Sequence, residues 1–116
     1  MTLIEVMITV LLISIGLLGV AQISVTTIES NTYSQQITMA ATLAQDKVEE
    51  LHRVAYANAV ATTGTEAYGT IANYAAYKRV TTITPDAPAV NMLTATVTVF
   101  WNADARSVSV NTIFAE

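Results

Sequence analysis

Hydrophobic positions run almost without interruption from the start of the chain. Between Glu5 and Glu29 there is no charged side chain, so residues 6–28 form one uncharged, mostly apolar window. A helix needs about 20 apolar residues to cross a hydrocarbon core. At ~1.5 Å rise per residue this window reaches about 35 Å, enough to span a bilayer. Beyond it, Tyr33, Ile37, Ala41, Ala44, Val48, Leu51 and Ala55 recur at three- and four-residue intervals, the period of a single helical stripe. Gln35, Gln36, Asp46, Glu49, Glu50 and Arg53 fall on the opposite side, with Glu49 and Arg53 in the favourable i,i+4 order. No proline interrupts residues 1–55. The pattern predicts one long helix, apolar all round in its first half and one-sided in its second.

After residue 55 the period changes. Residues 57–73, with Gly64, Gly69 and many Ala and Thr, read as a loop-rich connection. Three strand candidates follow at 74–84, 93–101 and 107–114. The first ends at Pro85-Asp86, and a turn at 102–106 separates the other two. In the second, Leu93, Ala95, Val97, Val99 and Trp101 share one face. In the third, Val108, Val110, Thr112 and Phe114 do. The expected fold is α+β: a long N-terminal helix packed against a small antiparallel sheet of about three strands. The expected organisation is an apolar membrane or filament-core helix at 1–28, its amphipathic continuation at 29–55, a connecting loop at 56–73 and a sheet head at 74–116.

Such a helix is too long for 116 residues to cover, so its first half calls for lipid or other copies of itself. A secretory signal peptide would show a basic n-region and a shorter apolar run. Here nothing basic precedes the window, and the expected N-terminus is a mature one. Composition narrows the chemistry. The net charge of -4 and five scattered bases, Lys47, Arg53, Lys78, Arg79 and Arg106, give no basic patch, so no specific nucleic acid is expected as partner. There is no cysteine, and His52 is the single histidine, which leaves no zinc ligand set. Asp46, Glu49 and Glu50 read as a solvated face rather than a calcium loop. No phosphate loop, nucleophile elbow or dinucleotide fingerprint occurs. Neither enzymatic activity nor a cofactor is expected.

The opening Met1-Thr2-Leu3-Ile4-Glu5-Val6, followed by the apolar run through Ala21, resembles the mature N-terminus of bacterial type IV pilins and type II secretion pseudopilins. Residues 12–21, 42–51 and 97–101 are similar to those of V-type (PilV-like) minor pilins. The chain departs from many major pilins in having Gln22 where they carry a proline, no cysteine pair and Met1 where Phe is usual. The resemblance implies a pilin of a type IV pilus or a pilus-like surface filament, polymerising through the apolar helix. A minor pilin or secretion pseudopilin that primes or tips the filament is the first alternative. A membrane-anchored binding module with the Thr-rich sheet as recognition face is an alternative of another class.

Within that resemblance Glu5 would pair with the N-terminal amine of a neighbouring subunit and set axial register. Met1 would be the residue freed and N-methylated by a prepilin peptidase. An unpaired buried carboxylate costs several kcal/mol by order of magnitude, which penalises misaligned subunits more than it stabilises aligned ones. From the residue alone, Glu5 also fits the interfacial end of a signal anchor. Ser14, Gly16 and Gly19 mark a candidate helix-melting segment, or simply small residues that permit close helix packing. The implied partners are identical or homologous pilin subunits, the assembly machinery and the inner membrane, before export to an extracellular filament or a periplasmic pseudopilus.

Overall fold

A computed structural model describes residues 2–54 and 56–115. The expectations placed on Met1 and Ala55 lie outside these residues. The elements are α1 (Leu3–Arg53), α2 (Tyr56–Val60), β1 (Gly64–Glu66), β2 (Tyr77–Pro85), β3 (Met92–Trp101) and β4 (Arg106–Ala115). The strands form one antiparallel sheet in the order β1-β2-β3-β4. The fold is therefore α+β, with a long N-terminal helix and a four-stranded sheet.

Helix α1 forms without a break: no proline interrupts it, and its ends are closed by local bonds. The amide of Val54 bonds the Leu51 carbonyl at 3.3 Å, an i to i−3 contact that tightens the last turn. The chain divides into two compact units between Gln36 and Ile37.

In the first unit, every described side chain from Thr2 to Gln35 is exposed. In the second, residues 37–53 of α1 lay Ala40, Leu43, Ala44 and Leu51 against the sheet. Strand β3 supplies the centre of that core. Leu93, Ala95, Val97, Val99 and Trp101 are all buried, and the period-2 face expected for this strand is the observed one. Burying each of Leu51, Leu93, Val97 and Val99 contributes about 1.5–3 kcal/mol. Strand β4 turns Val108, Val110, Thr112 and Phe114 to the same side, where they are half-buried.

The expectation of about three strands is corrected to four. The extra strand, β1, comes from the stretch read as connecting loop, as does α2. Its three residues pair with Arg79, Val80 and Thr81 of β2. What holds so short a strand is an ion pair. The Arg79 guanidinium, almost fully buried, donates through Nε and Nη2 to the two carboxylate oxygens of Glu66, the second at 2.7 Å. Its Nη1 donates at 3.0 Å to the Leu43 carbonyl of α1. One side chain thereby ties β1, β2 and the second half of α1 together. Lys47, also buried, donates to Glu50 at 3.1 Å. Among the described residues no buried side-chain nitrogen or oxygen lacks a hydrogen-bond partner, as a well-formed core requires.

The stripe expected on α1 is shifted by this arrangement. Ile37, Ala44, Val48 and Leu51 do face the core, but so do Ala40, Leu43 and the charged Lys47, whereas Tyr33 is exposed.

Candidate assembly surface on the apolar helix

The first unit is built from its N-terminus. Thr2 is the N-cap of α1 and Glu5 occupies the third helical position. The Thr2 amide donates to Glu5 Oε2 at 3.4 Å, and the Glu5 amide donates to Thr2 Oγ1 at 3.3 Å. This is a capping box, in which two amides of the first turn are satisfied reciprocally. It holds the carboxylate back over the helix end, where the macrodipole favours negative charge. The sequence signal is the spacing Thr2-x-x-Glu5, which the isolation of the acid in an apolar run makes easy to overlook.

Beyond the cap the surface is apolar on all sides as far as Ala21, and mostly apolar from there to Ile28, where Gln22, Thr26 and Thr27 add polar groups. Leu3 is 80% exposed, Leu11 59% and Leu18 68%, and the same holds through Ile28. The hydroxyls in this stretch are spent internally. Thr9 donates to the Glu5 carbonyl at 2.8 Å, Ser14 to Val10 at 2.7 Å, Ser24 to Val20 at 3.1 Å and Thr27 to Ile23 at 2.9 Å. Each bond runs from residue i to the carbonyl of i−4, so a hydroxyl in a water-free surrounding needs no outside partner. The helix therefore presents an apolar exterior in spite of its Ser and Thr. It is long and apolar enough to cross a membrane.

Gly16 and Gly19 lie within unbroken α1, and a methyl group added at either would meet nothing within 4 Å. Their openness leaves room for a close approach by another helix. Ser14 sits beside them with its hydroxyl bonded as above. Glu5 is about three turns from the nearest glycine, Gly16, at ~3.6 residues per turn, so the acid and the small-residue segment are separate features. Met1, which carries the expected amine, lies outside the described residues.

Comparison with known proteins leaves the reading to these residues. No family model matches the chain, and neither a curated protein nor a solved structure does.

The second unit carries two further polar clusters. Asp104, in the β3–β4 turn, accepts from Lys78 Nζ at 2.6 Å and from the Tyr68 hydroxyl at 2.8 Å, while its own amide donates to that hydroxyl at 3.0 Å. These bonds hold a turn in which Asn102, Ala103 and Asp104 all have positive φ. Lys78 and Tyr68 hold the Asp104 carboxyl below its usual range. The Arg79 hydrogen bonds do the same for Glu66, against a smaller opposing effect of burial. Both clusters join elements of the fold. His52 is exposed, with its ring edge-on to Phe114 at 4.1 Å between centroids. Among the described residues no group of three or more metal-binding side chains comes together.

Proposed function

We propose that this chain is a structural subunit, a pilin, of a type IV pilus or pilus-like surface filament. The observation that carries the reading is the exposed, uncharged and predominantly apolar exterior of α1 from Val6 to Ile28, headed by one capped acid at Glu5. An exterior of this extent has to be covered by lipid or by other apolar helices. A subunit held first in the inner membrane and then in a filament core meets both conditions in turn. In the core, Glu5 pairs with the N-terminal amine of a neighbour. The Thr2 cap presents the carboxylate at the helix end and leaves its charge to be matched.

The capping box gives a way to separate charge from cap. Glu5→Gln keeps a side chain able to accept from the Thr2 amide and removes the charge, whereas Glu5→Ala removes both. Both variants are expected to reach the membrane at the wild-type level and to fail in polymerisation, measured as protein in sheared surface material. Wild-type filament yield from Glu5→Gln would refute pairing by charge. A methylated Met1, detected by mass spectrometry of the sheared material, is expected of a processed pilin. If no polymer is recovered from the wild-type chain and it behaves as a monomer in detergent, the membrane-anchored binding module replaces the filament.

A further inference from the structure

The two edges of the sheet are built differently. At one edge β1 is only three residues long, and the β2 segment beside it carries Lys78 and Pro85, features that discourage another strand from pairing there. The other edge is β4. It runs ten residues, contains neither proline nor lysine, and stays in unbroken register with β3 from Met92↔Ala115 to Trp101↔Arg106. It has no bulge to twist it away. Among the described residues, no backbone hydrogen bond reaches β4 from outside its ladder with β3. The core is also unfinished on this side. Ala95, Val97 and Val99 of β3 are completely buried, whereas Val108, Val110 and Phe114 of β4 are only half-covered.

We infer that β4 is an interface, and that its occupant is β4 of a second copy of this chain, paired antiparallel across a two-fold axis at Asn111. Three features select that partner. The free edge offers backbone donors and acceptors at strand spacing, which only an extended segment can match. Core-facing positions are even-numbered and outward positions odd, so the two faces stay matched only in registers where paired numbers sum to an even value. The register centred on Asn111 sets Val108 against the second copy's Phe114, an aromatic and β-branched pair that extends the half-finished core. Charge fixes the direction. Arg106 is the strand's only charged residue, and antiparallel pairing keeps the two copies' Arg106 side chains about 30 Å apart, where parallel pairing would juxtapose them. A two-fold contact of this kind closes on itself, so it joins heads in pairs and does not propagate a polymer. It does not rest on the filament reading.

The chain's lack of cysteine makes the test direct. Asn111→Cys places two thiols across the dyad, where directly opposed Cβ atoms lie about 4.5–5.5 Å apart, near disulfide reach. In the full-length chain in detergent, mild oxidation is expected to give several-fold more covalent dimer from Asn111→Cys than from Thr82→Cys on β2 or from Ser107→Cys, whose opposed residue is Ala115. Adding Ser109→Lys with Ile113→Lys, which sets like charges opposite each other across the interface, should abolish that excess. Ser109→Lys with Ile113→Asp should restore it. Equal yields from Asn111→Cys and Thr82→Cys would overturn the interface. A higher yield from Ser107→Cys than from Asn111→Cys would overturn the pairing centred on Asn111.

Discussion

Residues 3–35 and 37–53 belong to the same helix, yet the first stretch is exposed throughout and a sheet covers one side of the second. The first is rich in Ile, Val and Thr, residues of indifferent helix propensity in water. In a water-free surrounding the backbone has no alternative to bonding itself, and helix is then the favoured form whatever the propensity. The second stretch uses Ala, Leu, Gln, Glu and Lys, good helix formers, and gains the rest of its stability from packing. The difference teaches that one secondary structure can rest on two separate causes. Substitutions should reveal which cause operates where.

The largest contrast comes from truncating one leucine in each stretch. Leu51 is 2% exposed in the core and Leu11 is 59% exposed. Leu51→Ala is expected to destabilise the second unit by about 2–5 kcal/mol through lost burial and the cavity left behind. Leu11→Ala opens no cavity within the chain. Its thermal melt in detergent should match wild type, and its effect should appear in membrane partition or polymer yield. Equal shifts in melting temperature would erase the distinction between the two stretches.

Arg79 comes next. Arg79→Met leaves Glu66 without its guanidinium and removes the tie between β1 and α1. Glu66 has a side chain 38% exposed and rehydrates in part, and the Leu43 carbonyl lies within a helix. The expected loss is therefore about 1–3 kcal/mol rather than the full cost of a stranded buried charge. Amide hydrogen exchange should locate it: protection falls at 64–66 and stays unchanged across β3–β4.

These two residues also mark what was legible in the sequence. Leu51 sits on a helical stripe, and β3 alternates cleanly, because in both cases local period and burial agree. Strand β1 was hidden because three residues, Gly64 to Glu66, carry no period. Only the pairing with Arg79–Thr81 and the Glu66–Arg79 ion pair, thirteen positions apart, make them a strand. The buried face of β2 is Arg79, Thr81 and Ile83, two of them polar, so hydrophobicity could not assign it. Lys47, one of the five scattered bases, is buried beside its Glu50 partner, which its charge alone does not suggest. Helix α2, at five residues, is shorter than any periodic signal. In the candidate site, Glu5 stood out as the sole acid before a long uncharged run. The role of Thr2 was equally local and needed only the three-residue spacing of a capping box.

Thr2 supplies a smaller effect, confined to the first stretch. Thr2→Ala removes the hydroxyl that accepts from the Glu5 amide, at a cost of about 1 kcal/mol in local helix stability. Fraying at residues 3–6, seen as faster amide exchange in detergent, is the expected sign. Thr2→Ser should restore protection, and the melt of the second unit should not move in either variant.

Acid should give the smallest response, and it is read in the second unit. Glu66, bonded to Arg79, and Asp104, bonded to Lys78 and Tyr68, both have carboxyls held below their ordinary values of 4.5 and 3.8. A depressed carboxylate binds its proton more weakly in the folded state, so its contribution is full above the ordinary value and is lost as pH falls through the folded one. Stability of the second unit should therefore be level from neutral pH down to the ordinary carboxylate range and decline below it. Alkali acts with the opposite sign on Tyr77, whose hydroxyl burial raises above its ordinary value of 10.0; its contribution is lost as pH rises beyond that. The decisive measurement is a set of melts between neutral and acid pH for wild type, Arg79→Met and Glu66→Gln. Both variants remove the Glu66 contribution, so each should be less stable at neutral pH and show a shallower acid decline. Asp104 exerts its influence at the surface, where solvent screens it, and should account for the modest slope that remains. An acid decline as steep in Arg79→Met as in wild type would mean that the bond between β1 and β2 is not what couples this unit to pH.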